Sequence, residues 1–191
     1  MKQAVLLALM ISLTMMCGCS KSAAYEVKYT DWRAGYLNST EHQIEAKVTS
    51  SDDDMVNEYT LLYTLNAEGE TVEVLSPELI ANIKAHIKEE EVELSYDGAM
   101  LETGSTLTKN LSPLMSLPTM VDVIKEGHPE NSWIEKKEET KYVVTELEMP
   151  DGMIMTLWQR SSDMIPIYAD VRTDNRVEVK ISITKFDNIE V

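Results

Sequence analysis

Two cysteines, three histidines and an aspartate run are the side chains from which chemistry would have to be built in this sequence. The histidines, His42, His86 and His128, fall in no HExxH or HxH arrangement and have no cysteine companions, so the spacing that places two imidazoles on one metal is missing. They read as surface histidines on polar strand faces, with His128 in a loop beside Pro129. Asp52, Asp53 and Asp54 offer hard oxygen ligands, but without the alternating loop and distal Glu of a calcium site, and they read as a solvated hairpin turn. No serine stands in a GxSxG elbow, and no glycine-rich phosphate loop occurs. The expectation is a non-catalytic protein with no metal and no cofactor.

Cysteine is where the sequence is most specific. The segment MKQAVLLALMISLTMMCGCS sets one early cation, Lys2, before the apolar run Ala4 to Met16 and then Gly18-Cys19. That is the order of a secretory leader, and the run falls short of the roughly 20 apolar residues that span a bilayer. A small residue at the cleavage point lets a peptidase reach a cysteine whose sulfur bears diacylglycerol. Gly18 and Cys19 meet that description, whereas Cys17 follows bulky Met16. Residues 1–18 are therefore expected to be an export leader, and Cys19 the lipidated first residue of the mature protein. Two or more acyl chains of the palmitate type hold a protein stably, where one alone is marginal. After cleavage no free thiol remains for a disulfide, and stability must come from a core.

The formal net charge is -16, with 33 acidic against 17 basic residues. Such a surface repels phosphate backbones, which excludes nucleic acid as a partner, and it repels anionic lipid too. The expected hold is then the lipid on Cys19, at the extracytoplasmic face of the cell membrane.

Elements that position side chains are mostly strands. Residues 19–25 read as a lipidated tether, followed by a brief helix over Asp31 to Ser39. Period-2 alternation begins with Ile44, Ala46 and Val48 on one face and Gln43, Glu45, Lys47 and Thr49 on the other. Tyr59, Leu61, Tyr63 and Leu65 repeat it, and Asn66-Ala67-Glu68-Gly69 turns the chain toward Val72 and Val74. Further short strands are expected around Ile83 to Ile87, Val92 to Tyr96, Met100 to Glu102, Trp133 to Glu138, Tyr142 to Glu148, Met153 to Trp158, Ile165 to Val171 and Val177 to Ile183. Short strands joined by tight turns predict a mainly β, antiparallel fold.

The period turns helical in NLSPLMSLPTMVDVIKEG. Ser112 suits an N-cap, Pro113 a first helical position and Gly127 a terminus, while Pro118 predicts a split into two pieces. Leu114, Leu117, Val121 and Ile124 share one face, widened by Met115, Met120 and Val123. Eight of the twelve methionines follow the leader, against a single Phe. Methionine adapts to irregular apolar partners, so both gap-filling and a pliable acyl-chain pocket fit. Trp133, Trp158, Tyr59, Tyr63 and Tyr96 read as core packing.

The stretch from His42 to Gly127, with VEVLSPELIANIKAHI, ELSYDGAMLETG and LSPLMSLPTMVDVIKEG, together with IPIYADVRTDNRVEVKISITKF, resembles lipoproteins of the LolA-like superfamily, clostridial spore-germination lipoproteins among them. The resemblance implies that residues 26–191 form a strongly curved antiparallel half-barrel, with short helices capping an apolar concave face. It further implies either a lipid or other apolar ligand in that cavity or, alternatively, a non-catalytic interaction protein supporting a cell-envelope or spore-cortex enzyme. The candidate ligand-binding residues are Leu114, Leu117, Met120, Val121, Ile124, Met153 and Met155. One departure is Asn82, where a glycine would be expected; Asn tolerates left-handed backbone.

Overall fold

The computed structural model describes residues 20–52, 55–88, 91–101, 112–149, 152–173, 176–187 and 189–190. Residues 1–18, expected to be a leader, and Cys19, expected to carry lipid, lie outside the described residues, as do Asp53 and Asp54.

Strands β1 (His42–Asp52), β2 (Met55–Asn66), β3 (Gly69–Ser76), β4 (Ile83–Lys88), β5 (Glu91–Tyr96) and β6 (Ala99–Leu101) run as one antiparallel meander. A second meander comprises β7 (His128–Lys137), β8 (Thr140–Glu148), β9 (Ile154–Arg160), β10 (Pro166–Thr173) and β11 (Arg176–Phe186). The two join where β11 pairs antiparallel with β1, and the two-residue β12 (Ile189–Glu190) pairs with β11. Among the described residues the order β6-β5-β4-β3-β2-β1-β11-β10-β9-β8-β7 leaves β6 and β7 at the edges, and the curved sheet does not close. This is the mainly β half-barrel expected from the sequence.

Parity along the strands decides the faces. Ile44 pairs with Tyr63, Tyr63 with Val72, Val72 with Ala85, and Ala85 with Leu94. A second row runs from Thr145 through Leu157, Ala169 and Ile181 to Val48. Both rows lie on the side covered by the two helices, and their apolar members belong to one core cluster.

Helix α1 spans Ser20–Leu37. It therefore replaces both the expected tether and the brief helix, since the chain is already helical at Ser20. Tyr25, Tyr29, Trp32 and Tyr36 stand four, three and four residues apart, which places them on one stripe against the core. Helix α2 spans Ser116–Glu126, after a single 3-10 turn over Pro113–Met115. Pro118 does not split it. The proline sits in the first turn, where an amide N–H has no intrahelical partner to lose. No helix among the described residues is long and apolar enough to cross a membrane.

The ends of α2 also differ from the reading of caps. Ser112 makes no side-chain cap; its carbonyl accepts from the Met115 amide at 2.9 Å. Gly127 has an ordinary φ of -60°, so it is not there for a left-handed turn. Space is the reason, because a Cβ at this position would stand 2.6 Å from the Val123 carbonyl oxygen. Asn82 does adopt the left-handed conformation expected of it, with φ 68°.

Candidate functional site

The concave compartment has the sheet as floor, α2 as roof and α1 along one wall. Leu117, Met120, Val121, Ile124, Met153 and Met155 are buried in one continuous cluster, and Leu114 packs half-buried against it. The structure thus brings all seven candidate ligand-binding residues together. Met115, Val123, Met149 and Met164 join them, whereas Met100 is 58 % exposed and takes no part. Helix α2 lies directly on the sheet, so entry of a ligand between them requires the helix to lift.

Polar contacts fasten α2 at one end. The Arg33 guanidinium of α1 donates to the carbonyls of Lys125 and, at 2.9 Å, of Gly127. Lys125 reaches the Glu70 carboxylate of β3 at 3.4 Å. These contacts gather at the C-terminal end, where helix carbonyls lack intrahelical partners and the dipole favours cations. On the body of the helix, Leu117, Met120, Val121 and Ile124 meet the core through apolar packing, which has no preferred direction.

Buried hydroxyls line the same region. Among the described residues those of Tyr29 and Tyr36 have no hydrogen-bond partner, although a neutral buried hydroxyl ordinarily finds one. Burial pushes the Tyr29 hydroxyl up to about 12, with Arg33 pulling slightly the other way. Tyr36 is raised further, by burial first and then by the negative charges of Asp187, Glu70 and Asp122. Tyr63 is also raised, by burial and then by Glu70. An apolar interior with a polar group of tyrosines and carboxylates at its side suits a ligand that is mostly hydrocarbon with one polar end.

The histidine reading needs correction at two positions. His42 is buried, at 4 % exposure, with its ring stacked 3.9 Å from that of Tyr36 and its Nδ1 3.1 Å from Asp187 Oδ2. Its parity was legible, since His42 shares a face with Ile44 and Ala46. The Gln43 amide donates to Asp187 Oδ1 at 3.0 Å, so the carboxylate locks the imidazole as part of the seat for α1. His128 opens β7 rather than lying in a loop, and is exposed. His86 stands on β4, its Nε2 3.0 Å from the Ser95 hydroxyl. Among the described residues no group of three His, Cys, Asp or Glu converges to hold a metal.

Trp133 and Trp158 were expected in the core and lie instead on the outer face. Their register row is Trp133, Val144, Trp158, Tyr168 and Ser182, with the opposite parity to the core row. Tyr63 is fully buried as expected, whereas Tyr96 shares the helix-side face with Leu94 but lies near the sheet's edge and is exposed.

No protein-family model matches the chain, and no curated protein matches it in sequence. Solved structures do resemble it. LprF from Mycobacterium bovis superimposes with a TM-score of 0.51 at 12 % identity, over 89 % of this chain and 96 % of that one. A putative outer membrane lipoprotein-sorting protein domain from Vibrio parahaemolyticus gives 0.46 at 9 % identity, covering 83 % and 90 %. A LolA superfamily protein from Nitrosomonas europaea gives 0.41 at 12 % identity, covering 81 % and 88 %. What the likeness to LprF carries is the fold, a curled, unclosed antiparallel sheet with two helices on its concave side.

Proposed function

We propose that this protein is a non-catalytic, lipid-anchored extracytoplasmic lipoprotein that takes up a lipid or another apolar ligand between the concave sheet and α2. The observation that carries the reading is the apolar face of α2, with Leu117, Met120, Val121 and Ile124 laid over the concave sheet while Arg33 and Lys125 fasten the helix's C-terminal end. Such a helix can swing about its fastened end without stranding a buried charge. Lifting Leu117, Met120, Val121 and Ile124 from the sheet costs about 6 to 12 kcal/mol, at about 1.5 to 3 kcal/mol for each side chain. An entering hydrocarbon returns about 0.8 kcal/mol per buried methylene, so roughly 8 to 15 methylenes offset the opening. That is the length of a fatty acyl chain.

The test is uptake of a fluorescent fatty acid by the purified, leader-free domain, with lipid mass spectrometry of the protein as isolated. Val121 is the position to vary. Val121→Ala should lower stability by about 1.6 kcal/mol for two carbons plus a cavity contribution, as at any fully buried side chain, and should also change the affinity for the probe, because the same side chain must leave the sheet and meet the ligand. Val121→Asp should abolish uptake by placing an unpaired charge in the apolar space. A folded wild-type domain that takes up no apolar probe refutes the reading.

A further inference from the structure

The face of the sheet turned away from the helices carries an organised aromatic site. Val144 is fully buried there, outside the helix-side core, and stands in register between Trp133 on β7 and Trp158 on β9. The Glu135 carboxylate accepts both indole N–H groups, Trp133 on Oε1 and Trp158 on Oε2, each at 2.9 Å. Trp158 meets Tyr168 of β10 at 5.1 Å between centroids and 62° between planes, which makes a corner rather than a flat slab. A cleft of about 490 Å³ opens against this corner, lined by Glu135, Lys137, Tyr142, Trp158, Ile167 and Tyr168 among others. Its volume lies in the range of small-molecule sites, about 300 to 1,000 Å³.

The lining selects the ligand class. Each indole N–H would take some acceptor by itself, but here one carboxylate takes both, which fixes the two rings relative to one another across β8. Glu135 holds them in place, and each of its oxygens keeps a second lone pair for a ligand. A free cation is disfavoured by Lys137 in the same wall, and an anion by Glu135 and by the net charge of -16. A pure hydrocarbon would strand the carboxylate, the ammonium and the Tyr142 hydroxyl. An uncharged sugar ring satisfies all of them. Its C–H face packs on an aromatic ring, while its hydroxyls donate to Glu135 and accept from Lys137 and Tyr142. We propose that this outer cleft binds a neutral pyranose unit, independently of any ligand on the concave side.

The experiment is intrinsic tryptophan fluorescence and calorimetry on the purified full chain in a sugar-free buffer. The probes are cellotetraose, maltotetraose and the β-1,4-linked tetramer of N-acetylglucosamine, with tetramethylammonium as the competing cation. At least one tetrasaccharide should bind and shift the emission. Trp158→Ala should weaken it about tenfold or more, about 1.4 kcal/mol, while Trp158→Tyr retains most of the affinity by keeping a ring. Glu135→Gln should also weaken binding, with circular dichroism unchanged. Pull-down on insoluble cellulose and chitin separates recognition of chain-internal rings from recognition of free oligosaccharide; capture by either polymer, or soluble binding alone, supports the site. Binding of tetramethylammonium with no response to any sugar overturns the proposal, as does sugar binding that Trp158→Ala leaves intact. Fatty-acid uptake in the same variants is expected at the wild-type level, so failure here is distinguishable from failure of the concave-side reading.

Discussion

Replacing Gly127 by alanine isolates the contact on which the placement of α2 depends. The residue's φ of -60° is open to any amino acid, so the substitution introduces no backbone strain. Its methyl group, however, would stand 2.6 Å from the Val123 carbonyl oxygen, 3.1 Å from Val123 Cγ1 and 3.4 Å from Leu147 Cβ. The nearest of these is backbone and cannot rotate away. Relief must come from moving the junction between α2 and β7, where the Gly127 amide donates to Val123 at 2.8 Å and the Gly127 carbonyl accepts from Arg33 at 2.9 Å. Overpacking of this kind costs about 1 to 3 kcal/mol, and each hydrogen bond loosened adds about 1 kcal/mol. The lower entropy of an unfolded chain with alanine returns about 0.4 to 1 kcal/mol. A net loss of about 1 to 3 kcal/mol corresponds to a Tm lower by about 2 to 12 °C for a domain of this size. Gly35→Ala is the matched control, because a methyl group there meets nothing within 4 Å on an exposed helical position. It should raise stability by about 0.5 to 1 kcal/mol through helix propensity. Thermal melts followed by circular dichroism compare the two. A Gly127→Ala protein that melts at or above the wild-type temperature would refute the close approach, and with it the fixed end of the helix.

Two further outcomes follow from the buried tyrosines and from the leader. Tyr29, Tyr36 and Tyr63 all have hydroxyls raised above the ordinary value of 10.0, so the folded protein holds their protons more tightly than the unfolded chain. Their contribution is fully present below pH 10 and is lost as pH rises through 10 toward 12 and beyond; denaturant midpoints should fall across that window. The phenolate absorbance of these three should then appear together with unfolding rather than before it, and early, reversible ionisation of all eight tyrosines would contradict their burial. Cys19→Ala should release the protein from membranes. Retention in the pellet after a salt wash, with the leader shown to be removed, would sink the lipid-anchor argument.

Much of the fold could be read from particular residues. Alternation through Ile44, Ala46 and Val48, and the Asn66 to Gly69 turn, specify strands whose faces the register then confirms. The helical period of Leu117, Val121 and Ile124 places α2, and Asn82 occupies its left-handed turn as expected. The longer helix α1 was missed because its signal is a stripe of four aromatic residues on a weakly amphipathic background, easily read as a polar tether. Reading His42 with its own strand parity would have buried it.

The sequence by itself determined which residues alternate and where most turns must fall, and it supplies the expectation that Cys19 carries lipid. These are local properties, set by period, backbone preference and side-chain chemistry within a few neighbours. Only the tertiary structure decided that Tyr36 stacks on His42, that Arg33 fastens the far end of α2, and that Glu135 joins two tryptophans from different strands. Those contacts join residues from 2 to more than 90 positions apart in the chain. They exist because strand register and sheet curvature bring particular side chains within hydrogen-bonding reach, which no spacing in the sequence specifies.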